Sequence, residues 1–279
     1  MKQPIFHNKS FNEHLKEYGY VEVPFLNRNE TEYLLSYFKL HHAQLPEGMY
    51  ASSHHHDFNF RKEMNETIKK TCERAIKDTF LNVKPLGATF MVKSRGVNGY
   101  LHPHQDWNIV DETKFNSYNI WLPLVDVDAS NGTILILPKS HLFLQNIRGL
   151  EIPSVWSNAI QEVKKQLVPL TVKAGNAIVY DHRLLHASDI NHTTNPRITV
   201  VYGIIPENAN MYFYYGIGNE IEIYDCNEDF YFNFNINKRP ANLTLLKKIP
   251  NPNIYVTKQD LDFFSQKKSI FNTLFQWFK

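Results

Sequence analysis

From Leu86 to Ile205 the sequence turns into a succession of short β-rich runs, and this restricts the fold more than any other feature. Ala88 to Lys93, Ser117 to Val125, Thr133 to Leu137, Val168 to Val172, Ala177 to Tyr180 and Ile198 to Ile205 are separated by turn residues. Upstream, Glu30 to Leu40 has Tyr33, Leu34, Tyr37 and Phe38 at helical spacing, with Asn27 or Asn29 as cap. Lys62 to Phe80 puts Ile68, Cys72, Ala75 and Ile76 on one helical face, and Leu45 to Phe60 between the two reads as a loop. Helices followed by many short strands predict a mainly β, α+β chain: a barrel or sandwich flanked by helices. With 43% hydrophobic and 14% aromatic residues the chain can build a large core, and no linker divides it. A single domain over 1–279 is expected.

Thirty basic and 28 acidic residues, a net charge of +2, give no reason to expect a nucleic-acid partner. Cys72 and Cys226 are too few for a disulfide framework, and no stretch is long enough to span a bilayer, so a cytoplasmic protein is expected.

Within this frame, His102-Pro-His-Gln-Asp-Trp107 carries the chemistry. His104 and Asp106 flank one residue, so extended backbone projects both to the same side, and His186 is the best distant third ligand. Two imidazoles and one carboxylate on one face of Fe(II) leave three positions open, the arrangement of non-haem iron oxygenases. His102 competes with His104 but lacks the His-x-Asp spacing, and His54-His-His points three ways and reads as solvated. Eleven residues after His186, Arg197 offers a planar fork suited to a carboxylate.

These residues sit in a longer matching context. His104-Gln-Asp-Trp, Asn119-Ile-Trp-Leu-Pro-Leu-Val-Asp-Val-Asp128, Asn131-Gly-Thr, Leu137-Pro-Lys-Ser-His141, Val172-Lys-Ala-Gly-Asn-Ala177, His186-Ala-Ser188 and Arg197 resemble, in order and spacing, the phytanoyl-CoA dioxygenase family of Fe(II)/2-oxoglutarate oxygenases. The amino terminus also resembles the family: Phe11 to Leu26, centred on Tyr18-Gly-Tyr-Val-Glu-Val-Pro24, is similar to its opening strand. The resemblance covers roughly residues 10 to 206, leaving 207–279 as an extension that packs on the core or at an interface. It implies a double-stranded β-helix, the cupin-like jelly roll whose mouth holds the metal. It also implies Fe(II), 2-oxoglutarate and O2, with Arg197 and Ser188 on the distal carboxylate of 2-oxoglutarate and Trp121 and Asn119 beside it. Related halogenases carry a small residue at the acid position; Asp106 therefore implies hydroxylation of an unactivated C–H bond.

A cupin-like isomerase or hydrolase using the same histidines, or a non-catalytic metabolite binder, is the competing reading, and Arg197 with Ser188 argues against the first. The substrate is expected to be a small-molecule, carrier-linked or lipid-linked metabolite, with Pro46 to Phe60, Asn108 to Asn116, Leu142 to Trp156 and Met211 to Tyr215 as contributing segments. Lys93 and Arg95 could meet an anionic substrate, although such residues are commonly solvated at strand ends. Alternation at Phe232, Phe234 and Ile236 predicts a further strand over Phe230 to Ile236. From Asp260 to Lys279, Leu261, Phe264, Ile270, Phe271, Leu274, Phe275 and Phe278 trace one helical face, expected to dock on the fold or a second subunit, or else to lie in a membrane interface.

Overall fold

The computed structural model describes residues 2–42, 45–233 and 238–262. Helix α1 (Lys9–Tyr18) leads into β1 (Tyr20–Pro24) through Gly19, whose φ of +85° closes the helix in the left-handed region. Helices α2 (Arg28–His41) and α3 (Phe58–Thr79) enclose the short β2 (Met49–Ala51). Strands β3 (Val83–Lys93), β4 (Leu101–His104), β5 (Tyr118–Pro123) and β6 (Ile134–Ile136) follow. After α4 (Ile160–Gln166) come β7 (Val168–Pro169), β8 (Asn176–Asp181), β9 (His186–Ser188), β10 (Arg197–Pro206), β11 (Met211–Ile217) and β12 (Glu220–Cys226). Helix α5 (Glu228–Asn233) and β13 (Leu245–Pro250) complete the set.

A six-stranded sheet, β1-β8-β5-β10-β3-β2, lies against a four-stranded sheet, β4-β9-β6-β7, with every strand pairing antiparallel. This is the jelly roll. Alternation along β3 and β10 decides what each face does. Phe90, Val92, Ile198, Val200, Tyr202 and Ile204 turn outward into a core with Leu34, Phe38, Met64, Ile68 and Cys72 of the helices. On the inner face, Trp121, Ile178 and Tyr180 pack against Ile134 and Ile136 of the facing sheet. Lys93 and Arg197 fall on this inner side, out of phase with the outward set.

Helix α2 has its predicted cap, where the Asn27 side chain accepts from Glu30 N at 3.0 Å and Glu30 reaches back to Asn27 N at 2.9 Å. Three segments depart from expectation. The Leu45 to Phe60 loop contains β2, paired to β3 from Met49↔Lys93, and the first turn of α3, which begins before Lys62 because Asp57 caps it. The first residues of the amino-terminal stretch form α1 rather than strand. The strand expected over Phe230 to Ile236 is instead the helix α5 as far as Asn233: the Asn227 side chain accepts from Phe230 N at 3.0 Å and two acids occupy the first turn. Residues 234–237 lie outside the described set.

Beyond residue 206, β11, β12 and β13 form a separate three-stranded sheet. Of the apolar face expected over Asp260 to Lys279, only Leu261 is within the described residues, buried with Trp156, Val163 and Val256. Among the described residues no helix is long and apolar enough to cross a membrane.

Candidate active site

Strands β4 and β9 pair with His104 opposite His186, so the register sets the two imidazoles side by side, ring centroids 4.3 Å apart. Asp106 leaves the strand end with its N–H on the His182 carbonyl at 3.0 Å, and Gln105 faces the other way, accepting from Trp156 Nε1 at 2.9 Å. His104, Asp106 and His186 form the one cluster of three or more metal-capable side chains among the described residues, with ligand atoms within 4.8 Å of one another. His104 Nδ1 donates to the His102 carbonyl at 2.8 Å and His186 Nδ1 to the Leu184 carbonyl at 3.0 Å. A carbonyl can only accept, so each ring carries a proton on Nδ1, which makes Nε2 the nitrogen that would bind a metal. Those Nε2 atoms lie 3.7 and 3.8 Å from Asp106 Oδ1. A metal with bonds of about 2.1 Å fits between atoms so spaced.

The charge state suits a cation. Burial works to raise the Asp106 carboxyl, but the fields of His186, His182 and His104 and the Asn119 hydrogen bond outweigh it and hold it down at about 2. Burial pushes the His186 imidazole down to about 4, with the charge of His104 acting the same way and Asp106 opposing. A metal therefore meets an ionised acid and a neutral His186 at neutral pH. His102 contributes its carbonyl while its ring is exposed, and of His54-His-His the first and third are exposed and His55 stacks on Phe60.

On the inner face of the six-stranded sheet, Arg197 and Lys93 are direct cross-strand partners and both are buried. This corrects the solvated alternative for Lys93, whereas Arg95 is exposed. Lys93 Nζ donates to Ser188 Oγ at 2.6 Å, Ser188 Oγ to the Gly132 carbonyl at 2.9 Å, and Arg197 Nη1 to the same carbonyl at 3.0 Å. Arg197 Nε and Nη2 are buried without a hydrogen-bond partner among the described residues. Burial, with Arg197 beside it, pushes the Lys93 ammonium down to about 7, and burial alone pushes Arg197 down to about 9. Gly132 has φ +79°, and a Cβ there would come within 2.7 Å of the Asp189 carbonyl and 2.8 Å of Lys93 Cδ, so a side chain would close this cradle. The Arg197 guanidinium lies over the Trp121 ring at 5.5 Å. Two unpartnered buried donors on Arg197, with the Lys93 ammonium beside them, fit a carboxylate.

Asn119 donates to Asp106 Oδ2 at 2.8 Å. Sequence reasoning missed Tyr180, whose hydroxyl is 3.4 Å from both Asn119 Nδ2 and His186 Nε2, and Arg148, which donates to the Asp106 carbonyl at 2.7 Å. Arg148 is itself held by a buried ion pair with Glu112 at 2.6 Å. A cavity of about 250 Å³ abuts Asn119 and takes Ser53, Ile109 and Met211 from three of the four expected substrate segments. The segment Leu142 to Trp156 contributes no lining; through Arg148 it braces the metal-side loop instead.

Residues 27–199 match the family model described as phytanoyl-CoA dioxygenase, more than half of the chain. The chain belongs to the phytanoyl-CoA dioxygenase family. A phytanoyl-CoA dioxygenase domain-containing protein 1 homolog from Dictyostelium discoideum is 25% identical over 170 residues, 56% of this chain and 60% of the relative. A phytanoyl-CoA dioxygenase 1 from Oryza sativa subsp. japonica is 31% identical over 103 residues, 36% of each chain. The chain thus spans less than two thirds of the curated relatives it matches. Among solved structures, the non-heme alpha ketoglutarate dependent carbocyclase SnoK from nogalamycin biosynthesis superposes with a TM-score of 0.55 at 16% identity, over 73% of this chain and 86% of that one, a likeness of fold.

Proposed function

We propose that this chain is a non-haem Fe(II)/2-oxoglutarate-dependent oxygenase that hydroxylates an unactivated C–H bond of a small-molecule metabolite. The observation that carries this reading is the pairing of two sites in one barrel: a His104, Asp106, His186 cluster whose rings both carry the proton on Nδ1, and a buried Lys93 and Arg197 pair in which two Arg197 donors have no hydrogen-bond partner among the described residues. A lone metal hydrolase would need the first and have no use for the second.

Bound Fe(II), with 2-oxoglutarate and O2, supplies the oxidant for the C–H bond and yields succinate and CO2. The residues of the chain do the rest. His104, Asp106 and His186 would hold the metal, and Asn119 and Arg148 fix the carboxylate through its Oδ2 and its backbone. Arg197, Lys93 and Ser188 would hold the distal carboxylate of 2-oxoglutarate, and the Trp121 ring covers the buried guanidinium. The test is succinate release coupled to oxygen uptake under a metabolite screen. Coupling that requires Fe(II) and 2-oxoglutarate together supports the reading; substrate turnover on zinc with no oxygen consumed would replace it with the isomerase or hydrolase alternative.

A further inference from the structure

We propose, resting on the metal site of the reading above, that Asn253 is a positioning residue for Asp106. Through Ile147 and Arg148 it holds the backbone of the acid ligand, so the stretch after residue 206, beyond the residues 27–199 that match the family, is part of the metal centre. The link runs through two peptide units. Ile147 N donates to Asn253 Oδ1 at 2.8 Å and Asn253 Nδ2 to the Ile147 carbonyl at 2.7 Å, so one side-chain amide grips the residue at both of its backbone polar groups. The opposite ends of the same peptide units are held as well. The Asn146 carbonyl, in one plane with Ile147 N, accepts from Arg148 Nη1 at 2.9 Å, and Arg148 N, in one plane with the Ile147 carbonyl, donates to Asn108 Oδ1 at 2.6 Å. Two peptide planes fixed at both ends leave the Arg148 backbone little freedom.

The Arg148 side chain is then aimed by Glu112, which accepts from Nη2 at 2.6 Å and from Nη1 at 3.1 Å, and its Nε donates to the Asp106 carbonyl at 2.7 Å. Both members of that ion pair are buried. With Asp106 N on the His182 carbonyl at 3.0 Å, the ligand has both of its backbone polar groups tied, which sets the direction in which its carboxylate leaves the chain. The surface that presents Asn253 is closely fitted to this segment. Gly216 N donates to the Leu150 carbonyl at 2.8 Å, and a Cβ on Gly149 would come within 2.2 Å of the Tyr214 carbonyl and one on Gly216 within 2.3 Å of the Glu151 carbonyl, so β11 lies backbone against backbone on residues 149–151. Tyr212 N and the Tyr214 hydroxyl donate to the Ile109 and Val110 carbonyls at 2.9 and 3.1 Å, on the loop that carries Glu112. Gln105, the neighbour of Asp106, accepts from Trp156 Nε1, and Trp156 packs with Val256 and Leu261. Of these contacts the one made by Asn253 falls on the residue next to Arg148.

The experiment titrates Co(II) into the full chain against a competing chelator and records the d–d absorption, which reports the geometry of the ligands. The wild type comes first: no Co(II) binding there, or equal binding in His186→Ala, would overturn the metal site itself and the proposal with it. Asn253→Ala is expected to lower Co(II) affinity by about three- to tenfold, at or below the low end for residues that support a ligand, and to shift the absorption. Asn253→Asp keeps the size and an acceptor for Ile147 N but turns an oxygen on the Ile147 carbonyl, and should do the same. Tyr224→Phe separates positioning from lost stability. It removes a hydrogen bond to Glu222 at 2.6 Å in the same three-stranded sheet, and its Co(II) affinity and spectrum should match the wild type whatever its melting temperature. In an Arg148→Met background, Asn253→Ala should have no further effect on Co(II) affinity, because the residue it acts through has gone. Wild-type affinity and absorption in Asn253→Ala and Asn253→Asp, an equal loss in Tyr224→Phe, or the full Asn253→Ala loss on top of Arg148→Met would overturn the proposal.

Discussion

The two polar clusters inside the jelly roll are built on opposite principles. At the β4 and β9 end, the three candidate ligands are already positioned: His104 and His186 by backbone carbonyls, Asp106 by Asn119 and its backbone by His182 and Arg148. At the Lys93 and Arg197 end, two cations are buried side by side, two Arg197 donors are unmatched, and among the described residues no carboxylate is bonded to either. The first cluster is organised before its ligand arrives. The second is unfavourable until its ligand arrives, so binding energy for a dicarboxylate is stored in the apo fold as charge repulsion and desolvation.

The largest effects should come from breaking the organised cluster. His186→Ala or Asp106→Ala is expected to lower Fe(II) or Co(II) affinity by more than about a hundredfold, beyond the range usual for supporting residues, as read by metal competition titration. Retention of metal by either variant would mean the cluster is structural. Removing a supporting residue should do less: Asn119→Ala is expected to cost about tenfold in metal affinity.

The charged cluster should respond in the opposite sense in stability and function. Arg197→Leu is expected to weaken 2-oxoglutarate by about a hundredfold, since two charge-assisted hydrogen bonds are lost, and Arg197→Lys by about tenfold, with metal binding intact in both. The same Arg197→Leu protein without ligands should melt at a higher temperature than the wild type, because an unmatched buried charge has gone. A lower melting temperature would show that Arg197 is fully matched in the apo protein and that the contrast between clusters is wrong.

Much of this was legible in the sequence, and what was not has a physical reason. The His-x-Asp spacing, the distant His186 and Arg197 could be read because each depends on local geometry or on motif order. Lys93 could not be assigned, since nothing local distinguishes a solvated lysine at a strand end from one that the β3 to β10 register sets opposite Arg197. Arg148 was hidden in the same way: its partners Glu112 and Asp106 are 36 and 42 positions away. Tyr180 lay within a predicted strand, yet its inward direction depends on which face the helices cover. The strand expected from Phe230 gives way to helix as far as Asn233 because alternating aromatics carry no sign of the local cap that the Asn227 side chain supplies.

A smaller effect sharpens the comparison through pH. Lys93 is held at about 7, below the ordinary lysine value, so between about pH 7 and the unfolded value of 10.5 the unfolded chain binds more protons than the folded one. The apo protein should therefore gain stability as pH rises through that window, and 2-oxoglutarate affinity should fall over the same rise as the ammonium is lost. Lys93→Met should flatten both trends. A wild-type melting profile with no such gain would place the Lys93 proton elsewhere.

The central claim is that these two clusters are one site for a metal and a dicarboxylate, and anaerobic titration tests it most directly. Fe(II) followed by 2-oxoglutarate should give a visible charge-transfer absorption that saturates at one of each per chain, vanishes in Asp106→Ala for want of metal, and in Arg197→Leu appears only at far higher 2-oxoglutarate. An absorption that forms with unchanged 2-oxoglutarate dependence in Arg197→Leu, or none in the wild type with Fe(II) bound, would contradict it.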